Sequence, residues 1–242
     1  MDIKKKYEYF TIRDRCRMGL VKYLEQVLKN LPESDNPKIL DIGCGTGVPT
    51  LWLAEKYSGT ITAIDTDELL LGFLEHKIQR KKTSSSIETK NVSFFDLVTE
   101  PEGFDLILAE GFLNVVGFEM GFKRVIAKIK QKGYFIIHDE YKDSDKKIAL
   151  IEKNKCKIVS SLLLDETIWW TEFYGQLEIE INKPGNAHLR GLFMNEINEI
   201  DQYKKNPCLF KSIYYVVLNV SKKKMKQFLL AINIAIFFRK AF

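Results

Sequence analysis

A loop rich in glycine follows directly after a short apolar stretch near residue 40. The sequence ILDIGCGTGVPT covers residues 39–50 and carries Gly43, Gly45 and Gly47. Glycine tolerates left-handed backbone and, having no Cβ, lets a ligand approach the main chain closely. A Gly-rich turn between a strand and a helix is typical of sites that bind a nucleotide-like ligand. The loop therefore predicts such a site against bare main chain.

The spacing of the loop departs from the dinucleotide fingerprint GxGxxG. The third glycine comes one residue early, and Val48 stands where that fingerprint has glycine. A carboxylate, Asp41, lies two residues before the first glycine, so the pattern is D-x-G-x-G-x-G. Two ligands stay open on the loop alone, a nicotinamide dinucleotide and S-adenosylmethionine, and Val48 counts against the dinucleotide.

The D-x-G-x-G-x-G pattern resembles motif I of the class I S-adenosylmethionine-dependent methyltransferases, and the likeness extends over residues 36–140. The resemblance implies that the glycines contact the methionine and adenosyl moieties, that Asp65 binds the ribose hydroxyls and that Asp96 meets the adenine amino group. A nicotinamide site would also need a carboxylate at Asp65, so that residue alone does not separate the two ligands. The cofactor contacts implied by the resemblance are Asp41, Gly43, Cys44, Gly45, Gly47, Asp65, Thr66, Asp96, Leu97 and Glu110.

Methyl transfer mainly requires that the acceptor lone pair is held in line with the sulfonium methyl group. A base is needed only where the acceptor carries a proton that must leave. Glu110 and His138 lie at the carboxyl ends of predicted strands and are our candidate catalytic residues. Asp139 is a candidate acceptor contact, and Trp169 and Tyr174 are candidate walls of an acceptor pocket, where aromatic faces would also suit a cationic acceptor.

Alternating apolar strands and helical stretches must position these residues. The alternation predicts an α/β fold with a doubly wound, mostly parallel sheet whose ligand lies at the carboxyl ends of the strands. The resemblance implies a Rossmann-like, seven-stranded sheet of order 3-2-1-4-5-7-6 with helices on both faces. Helices are predicted at 7–31, 49–57, 67–82, 117–133 and 145–154, and a polar loop at 83–90. Strands are predicted at 38–42, 60–65, 91–96, 103–110, 134–139, 156–164 and 212–220.

The chain of 242 residues is predicted to form a single domain, 1–242. Within it we expect an N-terminal helical lid over 1–35, and a helical insertion over 165–211 that forms part of the acceptor pocket. The segment 221–242 is a C-terminal extension about which the resemblance says nothing. Its apolar run 228–238 is too short to cross a bilayer as a helix and is interpreted as a packed core element or an interfacial helix.

The composition limits the classes of partner and the cellular compartment that we expect. The net charge of +5 comes from 37 basic and 32 acidic residues, and no basic, aromatic-interleaved module suggests nucleic acid. The four cysteines lack metal-ligand spacing, and the N-terminus lacks a signal peptide, so we predict no metal and a cytoplasmic protein. The predicted partner is a small-molecule acceptor, without membrane association, for a monomer or homodimer.

The predicted reaction is therefore methyl transfer from S-adenosylmethionine, with S-adenosylhomocysteine as the product. Three alternatives remain open from the sequence. One is a membrane-surface methyltransferase with a lipid or quinone-like acceptor, a second is a catalytically inactive S-adenosylmethionine-binding protein, and a third is a nicotinamide oxidoreductase.

Overall fold

A seven-stranded sheet forms the centre of the protein. The structure is a computed structural model and describes residues 2–81, 83–98 and 103–220. The strand order is β3-β2-β1-β4-β5-β7-β6, with β7 antiparallel to both of its neighbours, which confirms the predicted order. The strands are β1 (Lys38–Ile42), β2 (Thr60–Asp65), β3 (Ser86–Asn91), β4 (Phe104–Glu110), β5 (Ile129–Glu140), β6 (Cys156–Leu164) and β7 (Ser212–Asn219).

Ten α-helices surround this sheet in the described part of the chain. Short 3-10 turns connect several of them, and a π-helical turn covers Trp170–Tyr174. The segment 165–211 is helical, as predicted. The helices are α1 (Ile3–Arg17), α2 (Val21–Leu28), α3 (Val48–Lys56), α4 (Glu68–Arg80), α5 (Leu113–Val116), α6 (Phe118–Ile126), α7 (Ser144–Lys153), α8 (Glu166–Trp169), α9 (Gly175–Ile181) and α10 (Met194–Lys205).

Apolar cores lie on both faces of the sheet. Successive side chains of a strand point to opposite faces, so a strand covered on both sides is a continuous apolar run. In β4, Leu106 joins the core beneath α2 and α3, while Ile107 joins the core beneath α6 and α7. Both side chains are almost completely buried. The alternation predicted from the sequence therefore produces a central sheet that is covered on both faces and whose strand ends can hold a site.

The third strand lies at Ser86–Asn91, so the strand predicted over 91–96 and the polar loop predicted before it are wrong. β3 is an edge strand, and its polar side chains alternate with half-buried ones, a pattern that resembles a loop when read for hydrophobicity alone. The apolar residues that follow form a turn, which places Phe94 in the core.

The helix predicted over 117–133 is also too long. α6 ends at Ile126, β5 begins at Ile129, and Gly133 lies inside β5 rather than capping a helix. A Cβ at Gly133 would lie 3.0 Å from the carbonyl oxygen of Asp105, so close packing against β4 explains this glycine. On the strand, Lys130 is half-buried and Lys132 is exposed, and their spacing in the sequence resembles the polar face of a helix.

The C-terminal extension, including the apolar run 228–238, lies outside the described residues. Within the part of the chain that the structure covers, no helix is both long enough and apolar enough to cross a membrane.

Candidate active site

Two adjoining cavities open at the carboxyl ends of β1, β2 and β4. Their volumes are about 280 Å³ and about 230 Å³. Gly43, Asp65 and Glu110 line both of them, so the cavities meet at these three residues. This is the edge of a doubly wound sheet at which ligands bind.

The larger cavity is mainly apolar and aromatic. Two polar residues, Thr66 and Ser93, also reach it. Such a lining suits a flat heterocycle, because apolar walls bury its faces while a few polar groups fix its orientation. The apolar lining consists of Ile42, Ile64, Val92, Phe94, Phe95, Phe112, Val115 and Val116.

The smaller cavity is charged. It is lined by two arginines from α1, Arg13 and Arg17, and by three carboxylates from strand ends. Those carboxylates are Asp41, Asp65 and Glu110. An uncharged ligand would gain little from these groups, whereas a ligand that carries both a cation and an anion would match them.

The three glycines of the loop are required for different structural reasons. All three have positive φ, 68° at Gly43, 54° at Gly45 and 78° at Gly47, a region that disfavours other residues. A Cβ on Gly43 or Gly45 would meet no atom within 4 Å, so both face open space. At Gly47 a Cβ would lie 2.3 Å from Cδ1 of Leu74. The first two therefore leave room at the cavities, and the third lets α4 pack against the loop.

Asp65 connects the end of β2 to the glycine loop. Its Oδ2 accepts a hydrogen bond of 2.8 Å from the amide of Gly45, and its Oδ1 accepts one of 3.0 Å from the amide of Asp67. An ionised carboxylate has about four acceptor sites, so two remain for a ligand. The residue can thus fix the loop and bind hydroxyl groups at the junction of the cavities.

Asp41 is buried at the end of β1, with 3% of its surface exposed. Its Oδ2 accepts a hydrogen bond of 2.6 Å from the hydroxyl of Thr50. Burial raises the pKa of Asp41 to about 7; the hydrogen bond from Thr50 lowers this pKa, and the nearby negative charge of Glu110 raises it by less than that bond lowers it. A cation in the charged cavity would favour the ionised form of Asp41.

Glu110 lies at the carboxyl end of β4 and has partners from both ends of the chain. Its Oε1 accepts a hydrogen bond of 2.5 Å from Tyr214 in β7. Its Oε2 pairs with Arg17 of α1 at 3.2 Å. Both oxygens of this largely buried carboxylate are therefore compensated, which explains how a charge is stable at this depth.

His138 lies parallel to two aromatic rings. Its ring stacks on Tyr214 with the centroids 4.0 Å apart, and the centroid of the nearly parallel Trp169 ring lies at 5.8 Å. Ser212 Oγ lies 2.9 Å from His138 Nε2 and accepts a bond of 3.0 Å from Trp169 Nε1. A serine hydroxyl has one donor and two acceptor sites, so Ser212 can accept from Trp169 and still pair with either neutral tautomer of His138. Burial lowers the pKa of His138 to about 4, so the ring is neutral.

Helix α1 lies over the glycine loop. The hydroxyl of Thr46 donates a hydrogen bond of 2.5 Å to Asp14, and Lys77 of α4 pairs with the same carboxylate at 2.7 Å. The other side of α1 packs on the helical insertion through a core that contains Ile12 and Phe193. The helix thus connects the loop, α4 and the insertion.

Several predicted site residues lie at the cavities and others do not. Cys44 lines the charged cavity, and burial raises the pKa of its thiol, which keeps it uncharged. Asp96 and Leu97 line neither cavity, because a turn closed by a bond from the Asp96 amide to the Ser93 carbonyl exposes Asp96 and buries Leu97 in the core. Their contact with the cofactor stays a prediction.

The predicted acceptor residues Asp139, Trp169 and Tyr174 line neither of the two cavities. Asp139 is buried and forms an ion pair of 2.7 Å with Lys147 of α7. Tyr174 donates a hydrogen bond of 3.0 Å to Glu199. The described residues contain no cluster of His, Cys, Asp and Glu that could hold a metal ion. Arg17 and Phe112, which do line the cavities, carry no local sequence pattern that marks them as cofactor contacts.

The chain resembles known proteins in sequence and in fold. The ribosomal protein L11 methyltransferase of Ruminiclostridium cellulolyticum is 24% identical over 154 residues, which cover 63% of this chain and 45% of that protein. The chain spans about half or less of the length of the first curated relatives it matches.

Two solved structures illustrate the likeness in fold. The [4+2]-cyclase SpnF superposes with a TM-score of 0.70 at 13% identity, covering 83% of this chain and 81% of that one. A methyltransferase from Geobacter sulfurreducens, solved in complex with S-adenosylhomocysteine, gives 0.59 at 13% identity, over 81% and 88% of the two chains. At these identities the likeness concerns the fold.

A family model described as a methyltransferase domain matches residues 33–180, which is more than half of the 242 residues. The matched part contains the glycine loop, Asp65 and Glu110. The complete sheet, which includes β7 outside the matched part, has the strand order expected from the resemblance. The chain therefore belongs to this methyltransferase-domain family, among the class I S-adenosylmethionine-dependent methyltransferases.

Proposed function

We propose that the protein binds S-adenosylmethionine in the two joined cavities and transfers its methyl group to a small-molecule acceptor. The observation that carries this proposal is the junction itself. Bare backbone at Gly43 and a carboxylate with free acceptor sites at Asp65 lie between an aromatic cavity and a charged one. A nucleoside joined to an amino acid matches this order, with an aromatic base at one end, hydroxyl groups in the middle and a charged amino acid at the other end.

Different residues would bind the different parts of the cofactor. The aromatic cavity, which includes Phe94 and Phe112, would hold the adenine, and Asp65 would accept hydrogen bonds from the ribose hydroxyls. The charged cavity would hold the amino-acid end, with Asp41 beside its ammonium group. When bound, the cofactor supplies a methyl group on a sulfonium, which is already activated toward displacement.

The task of the chain is then to hold and desolvate the acceptor. Glu110 lies where both cavities meet, so we assign to it the contact with the acceptor and, for an acceptor that must lose a proton, its removal by a carboxylate oxygen. His138 fits a base less well, because its Nε2 already pairs with Ser212 and its buried ring stacks on Tyr214. Roles for Trp169, Tyr174 and Asp139 at the acceptor stay predictions.

Calorimetry with S-adenosylhomocysteine and NADH tests the proposal. We expect S-adenosylhomocysteine to bind and Asp65→Ala to weaken it by about 1.5–3 kcal/mol, since two charge-assisted hydrogen bonds are lost. Glu88→Gln, which removes an exposed carboxylate from the edge strand, should leave the affinity unchanged. Binding of NADH without S-adenosylhomocysteine would contradict the assignment.

Turnover separates an enzyme from a binding protein. Incubation with methyl-labelled S-adenosylmethionine and fractionated metabolite pools should transfer label to a small molecule, and Glu110→Gln should reduce this transfer. Binding without transfer to any pool would favour the inactive binding protein.

A further inference from the structure

A groove opens at the amino ends of the strands, on the edge of the sheet opposite the candidate active site. It consists of two adjoining cavities of about 370 Å³ and about 550 Å³, which share the lining residues 31–34 and Tyr57. Pro37, which precedes β1, lines the first cavity, and Ser58, which precedes β2, lines the second. We call these two cavities the amino-edge groove.

The floor of the amino-edge groove is apolar and aromatic. Leu31, Tyr57 and Tyr134 line the smaller cavity and pack against the core beneath α2 and α3. Trp52 does the same in the larger cavity. All four side chains are half-buried, so the core is incompletely covered here. Charged residues of both signs lie around the groove, so the apolar floor is the feature that selects an occupant.

The last strand brings the chain to this groove. β7 is antiparallel to β5 and therefore ends at the amino edge of the sheet, where Leu218 pairs with Tyr134 of the groove floor. The side-chain amide of Asn219 donates hydrogen bonds of 3.3 Å to the carbonyls of Ile129 and Lys130. These contacts fix the point at which the chain leaves the sheet, beside the groove.

The sequence that follows β7 matches the floor in polarity. Residues 221–242 lie outside the described residues, and their sequence contains the run FLLAINIAIFF at 228–238, in which Asn233 is the one polar residue. The seven residues 221–227 separate this run from the described chain. That length of chain spans up to about 25 Å, so the run is within reach of the groove.

We propose that the amino-edge groove binds the apolar run 228–238 of the same chain. Contact between the run and Trp52, Tyr57 and Tyr134 removes apolar surface of both partners from water. A segment tethered by a short linker has an effective concentration on the order of millimolar at its binding site, which favours it over a second copy or a membrane surface. The inference goes beyond the proposed function and does not depend on the cofactor or the reaction.

Photo-crosslinking in the full chain tests the proposal. p-Benzoylphenylalanine in place of Phe228 or Phe237 keeps an aromatic side chain in the run and forms covalent adducts with its neighbours on irradiation. We expect peptide mass spectrometry to locate these adducts within one chain, at residues 31–34, Trp52, Tyr57 or Tyr134. Adducts confined to other parts of the chain, or no adducts, would overturn the proposal, and this readout needs no change in the groove.

A change in the groove floor gives a second measurement. Tyr57→Ser removes part of the apolar floor and should lower the yield of groove adducts at least about fivefold. Tyr141→Ser is the matched control, because Tyr141 is exposed and follows β5 at the opposite edge of the sheet; the yield should stay unchanged. Equal yields from the two variants, both shown to be folded by circular dichroism, would refute the role of the groove floor.

Two further arms identify the other possible occupants. In a mixture of isotope-labelled and ordinary chains, adducts that join a labelled to an ordinary chain would assign the run to a second copy. With vesicles of phosphatidylglycerol and phosphatidylcholine, adducts on lipid at the expense of the groove adducts would assign it to a membrane surface. Either result would overturn the proposal, whereas adducts within single chains that persist in both arms would support it.

Discussion

Tyr214 in β7 donates its hydroxyl proton to Glu110 at the end of β4, at 2.5 Å, across the intervening strand β5. The two residues are 104 positions apart in the chain. The last strand of the sheet therefore supports the carboxylate at the centre of the candidate site.

Removal of the Tyr214 hydroxyl should destabilise the fold. Tyr214→Phe leaves one buried carboxylate oxygen without its donor, at a cost of about 1–3 kcal/mol in the free energy of unfolding. Tyr215→Phe is a matched control, since that neighbouring hydroxyl is buried and has no hydrogen-bond partner; its loss should be neutral or stabilising. Urea denaturation measures both, and equal losses would contradict the importance of the bond to Glu110.

The affinity for S-adenosylhomocysteine should depend on pH through Asp41. The pKa of Asp41 is raised to about 7, and an ammonium group beside it favours the ionised form. Binding below pH 7 then requires release of a proton, so the Kd should rise up to about tenfold for each pH unit of acidification. Asp41→Asn should flatten this dependence in calorimetric titrations between pH 5.5 and 8. A wild-type Kd that does not vary over this range would argue against the contact.

Two glycine substitutions should separate ligand space from packing. Gly43→Ala places a methyl group in open space at both cavities, so we expect at least tenfold weaker S-adenosylhomocysteine binding. Its cost in stability should be about 1–2 kcal/mol, from the positive φ. Gly47→Ala adds a collision with Leu74. Its loss in the free energy of unfolding should therefore exceed its loss in the free energy of ligand binding by about 2–4 kcal/mol. Denaturation and calorimetry on both variants measure the two effects, and a reversed pattern would refute the division.

His138 should contribute to acid instability. Its native pKa of about 4 lies below the value near 6.5 of an unfolded chain, so below pH 6.5 the unfolded state takes up the proton first. The stability that the neutral ring provides is complete above pH 6.5 and is lost as the pH falls toward 4, by up to about 3 kcal/mol.

His138→Gln keeps a polar side chain for Ser212 but cannot titrate. The difference in unfolding free energy between the wild type and this variant should shrink as the pH falls from 7 to 4.5, as measured by urea denaturation. His188→Gln, at an exposed histidine paired with Glu8, controls for the loss of a histidine. A difference that stays constant with pH would contradict a neutral buried ring.

Local sequence patterns were sufficient for much of the fold. The spacing of Gly43, Gly45 and Gly47 predicted the turn after β1, and alternating apolar segments with the family resemblance predicted the strand order. Both depend on residues close together in the chain, where periodicity and turn chemistry act directly. The third strand was missed because an edge strand needs few apolar residues, so its pattern is weak.

The partners within the site could not be predicted in this way. Arg17 and Tyr214 reach Glu110 from positions 93 and 104 residues away, and such contacts leave no periodic signal. The turn before Leu97 likewise follows from packing of Phe94 into the core, which a reading of hydrophobicity assigned to a strand. Long-range contacts of this kind are decided by tertiary packing, which a single sequence does not display.

The antiparallel strand β7 has a consequence for synthesis on the ribosome. It occupies the place between β5 and β6, so these two strands, consecutive in the order of translation, have no direct pairing with each other. A nascent polypeptide that ends before residue 212 holds an open slot in its sheet and lacks Tyr214. The gap in the sheet closes, and the support of Glu110 is completed, only after β7 has emerged from the exit tunnel and inserted between β5 and β6.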